Sequence, residues 1–180
     1  GAGKRLLGLV TRQRLALEAG QLSSLSVWEI TRYLSRLAAG DIMIRAGEVI
    51  TISPDRTVER AARTMTENKI GCLPVIEEGI VVGILTEHDL LRAFQEMLGM
   101  PSPGVRVIMR MPDRKGEFAK LSRALSAHNM GVMGIGVYPT PRLPGFYDMV
   151  VKISDSTMDE VRAALSQVEE QEIIDLREAV

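Results

Sequence analysis

The sequence predicts a mixed α/β (α+β) protein in which βαββα units are followed by a βαββαβ unit. Three observations point that way. Short branched strands alternate with stretches of helical period, so neither an all-helical nor an all-strand chain fits. The stretch GMPSPG, residues 99–104, interrupts any helix and separates two periodic regions. Residues 6–15, LLGLVTRQRL, repeat residues 81–90, VVGILTEHDL: an apolar strand runs into Gly, two apolar residues and Thr, then a polar turn. The 180 residues are 46% hydrophobic and 25% charged, with 22 basic and 23 acidic side chains. Such a composition excludes collagen, coiled coil and wholesale disorder, and the even charge argues against a dedicated nucleic-acid binder.

In order along the chain, VITIS at 49–53 reads as a strand stopped by Pro54-Asp55. Thr57 caps a helix whose stripe is Val58, Ala61, Ala62 and Met65, ended by Lys69-Ile70-Gly71. A buried strand at 72–76, an acidic Gly turn at 77–79, a strand at 80–86 and a helix beginning near Asp89 complete the unit. Only the second half of this unit precedes Leu15, so the chain is expected to start inside a domain, with about 40 residues of the repeat missing. Beyond the linker, 105–111 reads as a strand and PDRKG as a loop. Residues 117–129 read as a helix with Phe118, Leu121 and Leu125 on one face. Strands at 131–138 and 147–153 follow, joined through PTPRLPG. Ser156 or Thr157 then opens a helix with Val161, Ala164, Leu165 and Val168 inward, and 173–176 is a last strand. That order is the split, ferredoxin-like arrangement of four antiparallel strands with two helices on one face.

GILTEHD at 83–89, GCLPV at 71–75 and DIM at 41–43, in register, make this region resemble the CBS domain, and the paired repeats resemble a Bateman module. DRKG at 113–116 and NMG at 129–131 make the last part resemble an ACT domain; the whole order is similar to acetoin-utilisation-type regulatory proteins. The expected division is the tail of a first CBS repeat with a connecting helix at 1–40, a second repeat at 41–99, a linker at 100–104 and an ACT domain at 105–180.

Thr86 and Asp89 are placed by these elements at a helix N-terminus, where unpaired backbone donors favour a phosphate. The CBS resemblance implies a division of labour: Asp89 to ribose, Thr86 to phosphate, adenine on the backbone around Cys72 and Pro74, and Met43 and Ile44 over the ring. The ligand implied is AMP, ADP, ATP or S-adenosylmethionine. Read without a ligand, Asp89 is a helix cap and Thr86 its partner. The first repeat keeps Thr11 but has Arg14 where Asp89 stands in the second, and a guanidinium cannot accept a ribose hydroxyl. One working site per chain is therefore expected. Arg12 and Arg14 either add charge for a phosphate chain anchored there or form a solvated basic helix end. The ACT resemblance implies an amino-acid effector near Asp113, Gly116, Asn129 and Gly131 at an interface between two such domains; Lys115 stands where that family often has Pro. The other reading is a domain that only dimerises through its edge strands.

No catalytic residue, metal site or resident cofactor is expected. His88 and His128 fall in different expected domains, and neither a P-loop nor an HExxH motif is present. Glu77-Glu78 and Glu169-Glu170 read as solvated turns, and most of the ten methionines as gap fillers in the cores. Cys72 is the single cysteine, so the chain alone builds no disulfide and no thiolate cluster. No apolar run approaches the roughly 20 residues of a membrane helix. The expectation is a soluble, cytoplasmic, homodimeric regulatory protein with no membrane or nucleic-acid partner. The alternative is a structural adaptor that dimerises a partner enzyme without ligand control.

Overall fold

A computed structural model describes residues 3, 5–15 and 26–179; the remainder of the half-repeat expected at 4–20 lies outside the described residues. Contacts divide the chain into two compact units, Gly1–Leu90 and Leu91–Val180.

In the first unit, β1 (Gly8–Leu9) pairs antiparallel with β2 (Ile44–Arg45), Leu9 opposite Ile44. Between them in sequence lie α1 (Val27–Leu34) and the short α2 (Ala39–Ile42). Ser26 starts α1 by a reciprocal cap with Glu29, whose carboxylate accepts from the Ser26 N–H at 2.9 Å. A single 3₁₀ turn, Ala46–Glu48, leads on to α3 (Val58–Asn68). Thr57 caps α3, Ala61 and Met65 are its buried positions, and Lys69 ends it in the left-handed region at φ 53°. Then β3 (Cys72–Glu77) and β4 (Ile80–Thr86) form an antiparallel hairpin, and α4 (Glu87–Met97) begins directly at the end of β4.

The strand expected at 49–53 is reduced to one parallel bridge between Ile52 and Val75. Two prolines account for this. Ile52 N–H donates to the Pro74 carbonyl at 3.0 Å and the Ile52 carbonyl accepts from Ile76 N–H at 2.8 Å. The next bond on either side of a parallel ladder would need an N–H from Pro74 or from Pro54, and neither exists.

The second unit contains β5 (Gly104–Pro112), α5 (Glu117–Ala127), β6 (Gly131–Pro139), β7 (Phe146–Ser154), α6 (Met158–Leu165) and β8 (Glu172–Ala179). The four strands form one antiparallel sheet in the order β6-β7-β5-β8. Val105, Val107, Met109 and Met111 of β5 and Met149, Val151 and Ile153 of β7 alternate onto one face. Leu121 and Leu125 of α5 and Val161, Leu165 and Val168 from the α6 side cover it. Phe118, expected inward with Leu121 and Leu125, is 49% exposed. Its neighbour Glu117 is buried instead, drawn in by Arg114, Lys120 and Gln171. Among the described residues no helix is long and apolar enough to cross a membrane.

Candidate functional site

The GILTEHD motif folds into a corner between a strand end and a helix start. Asp89 Oδ2 accepts from the Thr86 N–H at 2.9 Å and from the Thr86 hydroxyl at 2.6 Å, while the Asp89 N–H donates back to Thr86 Oγ1 at 3.3 Å. This reciprocal cap satisfies donors that the first turn of α4 would otherwise leave open. Cys72 stands opposite Thr86 in the β3–β4 ladder, and the Gly71 carbonyl accepts from the Glu87 N–H at 3.0 Å. Residues 71–72 and 86–89 therefore share one end of the hairpin. Pro74 stands opposite Ile84, with its carbonyl taken by Ile52.

A cleft of about 440 Å³ opens in the same unit, lined by residues from four separate stretches. Thr11 and Arg12 come from the turn after β1, Ile44 from β2, Glu48 from the 3₁₀ turn, and Lys69 and Cys72 from the α3–β3 junction. Thr11 caps the helical turn at 12–15: Oγ1 accepts from the Arg14 N–H at 3.4 Å and the carbonyl from the Leu15 N–H at 3.2 Å. Lys69, the left-handed C-cap of α3, stands three residues before β3 on the cleft wall. Two cations, Arg12 and Lys69, and one carboxylate, Glu48, line the cleft together with the apolar Leu9, Val49 and Ile70. A hydroxyl, two cations and apolar walls suit an anionic molecule that also carries an apolar group.

Of the residues expected at the nucleotide site, Thr11, Ile44 and Cys72 share this cleft. Thr86 and Asp89 stand beside Cys72 and are engaged with one another. Met43 and Pro74 are off the cleft wall. Met43 packs the other way, against β1, where a Cβ on Gly8 would lie 2.5 Å from its sulfur; successive residues of an extended strand face opposite sides, so Met43 and Ile44 cannot both face the cleft. Lys69 and Glu48 were not singled out by sequence. The signal for Lys69 was its place at the expected helix end, three residues before the expected strand.

Comparison with known proteins matches part of this region. Residues 39–96 match the CBS domain. The CBS domain-containing protein YhcV of Bacillus subtilis is 40% identical over 43 residues, which are 24% of this chain and 31% of that protein. Among solved structures, the CBS domain pair of protein MJ0100 in complex with 5′-methylthioadenosine and S-adenosyl-L-methionine is 28% identical. It covers 51% of this chain and 62% of its own, with a TM-score of 0.39. A putative acetoin utilization protein (AcuB) from Vibrio cholerae is 31% identical over 52% of this chain and 62% of its own, with a TM-score of 0.40. The chain spans 26–48% of the length of the first three curated relatives it matches.

Two hollows of the second unit bear on the expected amino-acid site. One, of about 460 Å³, is lined by Asp113, Arg114, Gly116 and Glu117 together with Met111, Val137 and Tyr147. The other, of about 300 Å³, is lined by Asn129, Gly131, Ser122 and Ser126. Phe118 and Ile135 border both. The four residues expected at one amino-acid site are therefore divided two and two, because the exposed Phe118 side chain and the β6 residue Ile135 stand between the pairs.

Glu117 anchors the first hollow. Its carboxylate accepts from Arg114 Nη2 at 2.9 Å, Lys120 Nζ at 3.1 Å and Gln171 Nε2 at 3.1 Å. The Gln171 bond, then Lys120 and Arg114, hold it below the usual carboxylate range against the burial that would raise it. Glu170 is exposed, as expected, and also pairs with Arg114 and Lys120, which lower it from 4.5 to about 2. Asp148 forms a second network, accepting from Arg110 Nε at 2.9 Å and Nη2 at 3.1 Å and from the Thr140 hydroxyl at 2.9 Å. Neither network was legible in the sequence, since their partners lie up to 56 residues apart.

Proposed function

We propose that this chain is a non-catalytic regulatory protein whose CBS region senses an adenosine-containing ligand such as AMP, ADP, ATP or S-adenosylmethionine. The observation that carries the reading is the cleft in which Thr11, Ile44 and Cys72 come together with Arg12 and Lys69. The apolar walls would take the base, and Thr11, Arg12 and Lys69 the anionic end. The Thr86–Asp89 corner flanks Cys72 and would exchange its internal bond for ribose hydroxyls. The linker expected at 100–104 is shorter than that, since Gly104 already belongs to β5; residues 101–103 would lead into an ACT domain at 105–180, taking a small amino acid at the hollow of Asp113 and Gly116 or that of Asn129 and Gly131. Signalling would be a shift between arrangements of a homodimer, and a ligand drives such a shift only to the extent that it binds one arrangement better.

Titration calorimetry on the whole chain with AMP, ATP and S-adenosylmethionine tests this. One site per chain is expected, with ATP binding weakened about 10-fold or more by Arg12→Glu or Lys69→Glu, the scale of a lost charge-assisted hydrogen bond. Absence of heat with all three ligands, or two sites per chain unaffected by these changes and by Asp89→Ala, sinks the proposal. A second reading is favoured by the closed Thr86–Asp89 cap and by Arg14 standing where the repeat has Asp: a dimerising adaptor for an enzyme, without ligand control. Calorimetric silence alongside an intact dimer would support it.

A further inference from the structure

We propose that Met100 is a modification site for hydroperoxides, and that Lys152 is the group that accommodates its sulfoxide. Lys152 lies on β7 with 3% of its surface exposed, opposite Gly134 on one side and Arg106 on the other. Residues 98–100 lie across it. A Cβ on Gly134 would collide with the Leu98 backbone, and one on Gly99 would come within 3.1 Å of the Lys152 side chain. The ammonium has three N–H donors, and among the described residues its hydrogen-bond partner is the Met100 sulfur at 3.3 Å. Among the described residues no carboxylate pairs with it; Asp175, on β8, is taken by Arg106 and Arg177.

A buried ammonium is costly unless well paired, and a thioether is a weak acceptor. Oxidation supplies what is lacking. The Met100 sulfur attacks the distal oxygen of a hydroperoxide, the O–O bond breaks, sulfur loses two electrons and the peroxide leaves as water or alcohol. The new S=O oxygen forms on the lone pair turned away from Lys152 and is a strong acceptor; rotation about the Cγ–Sδ bond then brings it to Lys152 Nζ in place of the sulfur. Met100 is half-buried and open to a small oxidant, whereas Met65, Met109, Met111 and Met149 are sealed in the cores. At those positions a sulfoxide would break packing; at Met100 it completes a hydrogen bond and tightens the 98–100 strap on the sheet.

The test combines hydrogen peroxide treatment of the whole chain, mass mapping of the added oxygen, and thermal unfolding of native, Lys152→Met and Met100→Gln chains. A +16 Da adduct at Met100 is expected, with a Tm unchanged or raised when Lys152 is present and lowered by about 4 °C or more in oxidised Lys152→Met. Met100→Gln, whose amide oxygen imitates the sulfoxide, should match or exceed the native Tm. The proposal is overturned by a Met100 that stays unmodified while exposed Met97 and Met158 saturate, or by equal losses with and without Lys152. Should Lys152→Met fail to fold, the Gln variant decides alone: a Tm as low as that of Met100→Ala overturns the assignment.

Discussion

Asp148 shows how a single residue fixes the second unit. It is 5% exposed on β7, and both carboxylate oxygens are occupied, by the fork of Arg110 on β5 and by the hydroxyl of Thr140 after β6. The Arg110 guanidinium, helped by Thr140, holds the carboxyl below its ordinary range. Asp148→Ala should therefore cost about 3 kcal/mol, since it strands a guanidinium at a partly buried position. Thr140→Val should cost about 1 kcal/mol, because the ion pair survives it. Urea denaturation of the two variants checks the order; equal midpoints would mean that the pair contributes nothing beyond a neutral hydrogen bond.

At the scale of elements, the start of α5 is clamped by charge rather than by a side-chain cap. Gly116 offers no capping group, and the helix begins with Glu117 bound to Arg114, Lys120 and Gln171, with Glu170 closing the ring. Glu117 and Glu170 are both held below their ordinary values, Glu170 to about 2. Groups lowered in the folded state contribute stability above their unfolded values and lose it as pH falls through the folded ones. The contribution of Glu170 should thus be full above about 4.5 and disappear between there and about 2. Glu170→Gln should flatten the fall of Tm across that window, and a slope equal to the native one would refute the clamp. The same elements show what sequence reasoning reaches. β4 at Ile80–Thr86 and the Thr57 cap of α3 were legible because period and capping are local. The strand at 49–53 was not, because its fate depended on a proline in another strand. In the candidate site Thr86 and Asp89 were legible as a pair three residues apart, whereas a cleft assembled from residues 11, 44, 69 and 72 depends on tertiary packing.

Across the whole molecule the two units differ in how well they are sealed. Among the described residues, Val107, Met109, Leu121, Val151, Ile153, Val161 and Leu165 of the second unit are fully buried. In the first unit only Leu73 and the small Ala61 reach that level, while Ile84 and Val82 of β4 stand more than half exposed at 54% and 52%. Burial of apolar surface is the main source of stability, so the first unit should unfold first on heating. The ligand proposed for the first unit binds only its folded form and should raise the lower transition by RT ln(1 + [L]/Kd), about 2.7 kcal/mol at 100 times Kd, leaving the upper one in place. Differential scanning calorimetry with and without ATP reads both at once. If instead ATP raises the upper transition alone, the ligand belongs to the four-stranded sheet and the cleft at Thr11, Ile44 and Cys72 is not its site; a single transition that ATP leaves unmoved would favour the adaptor.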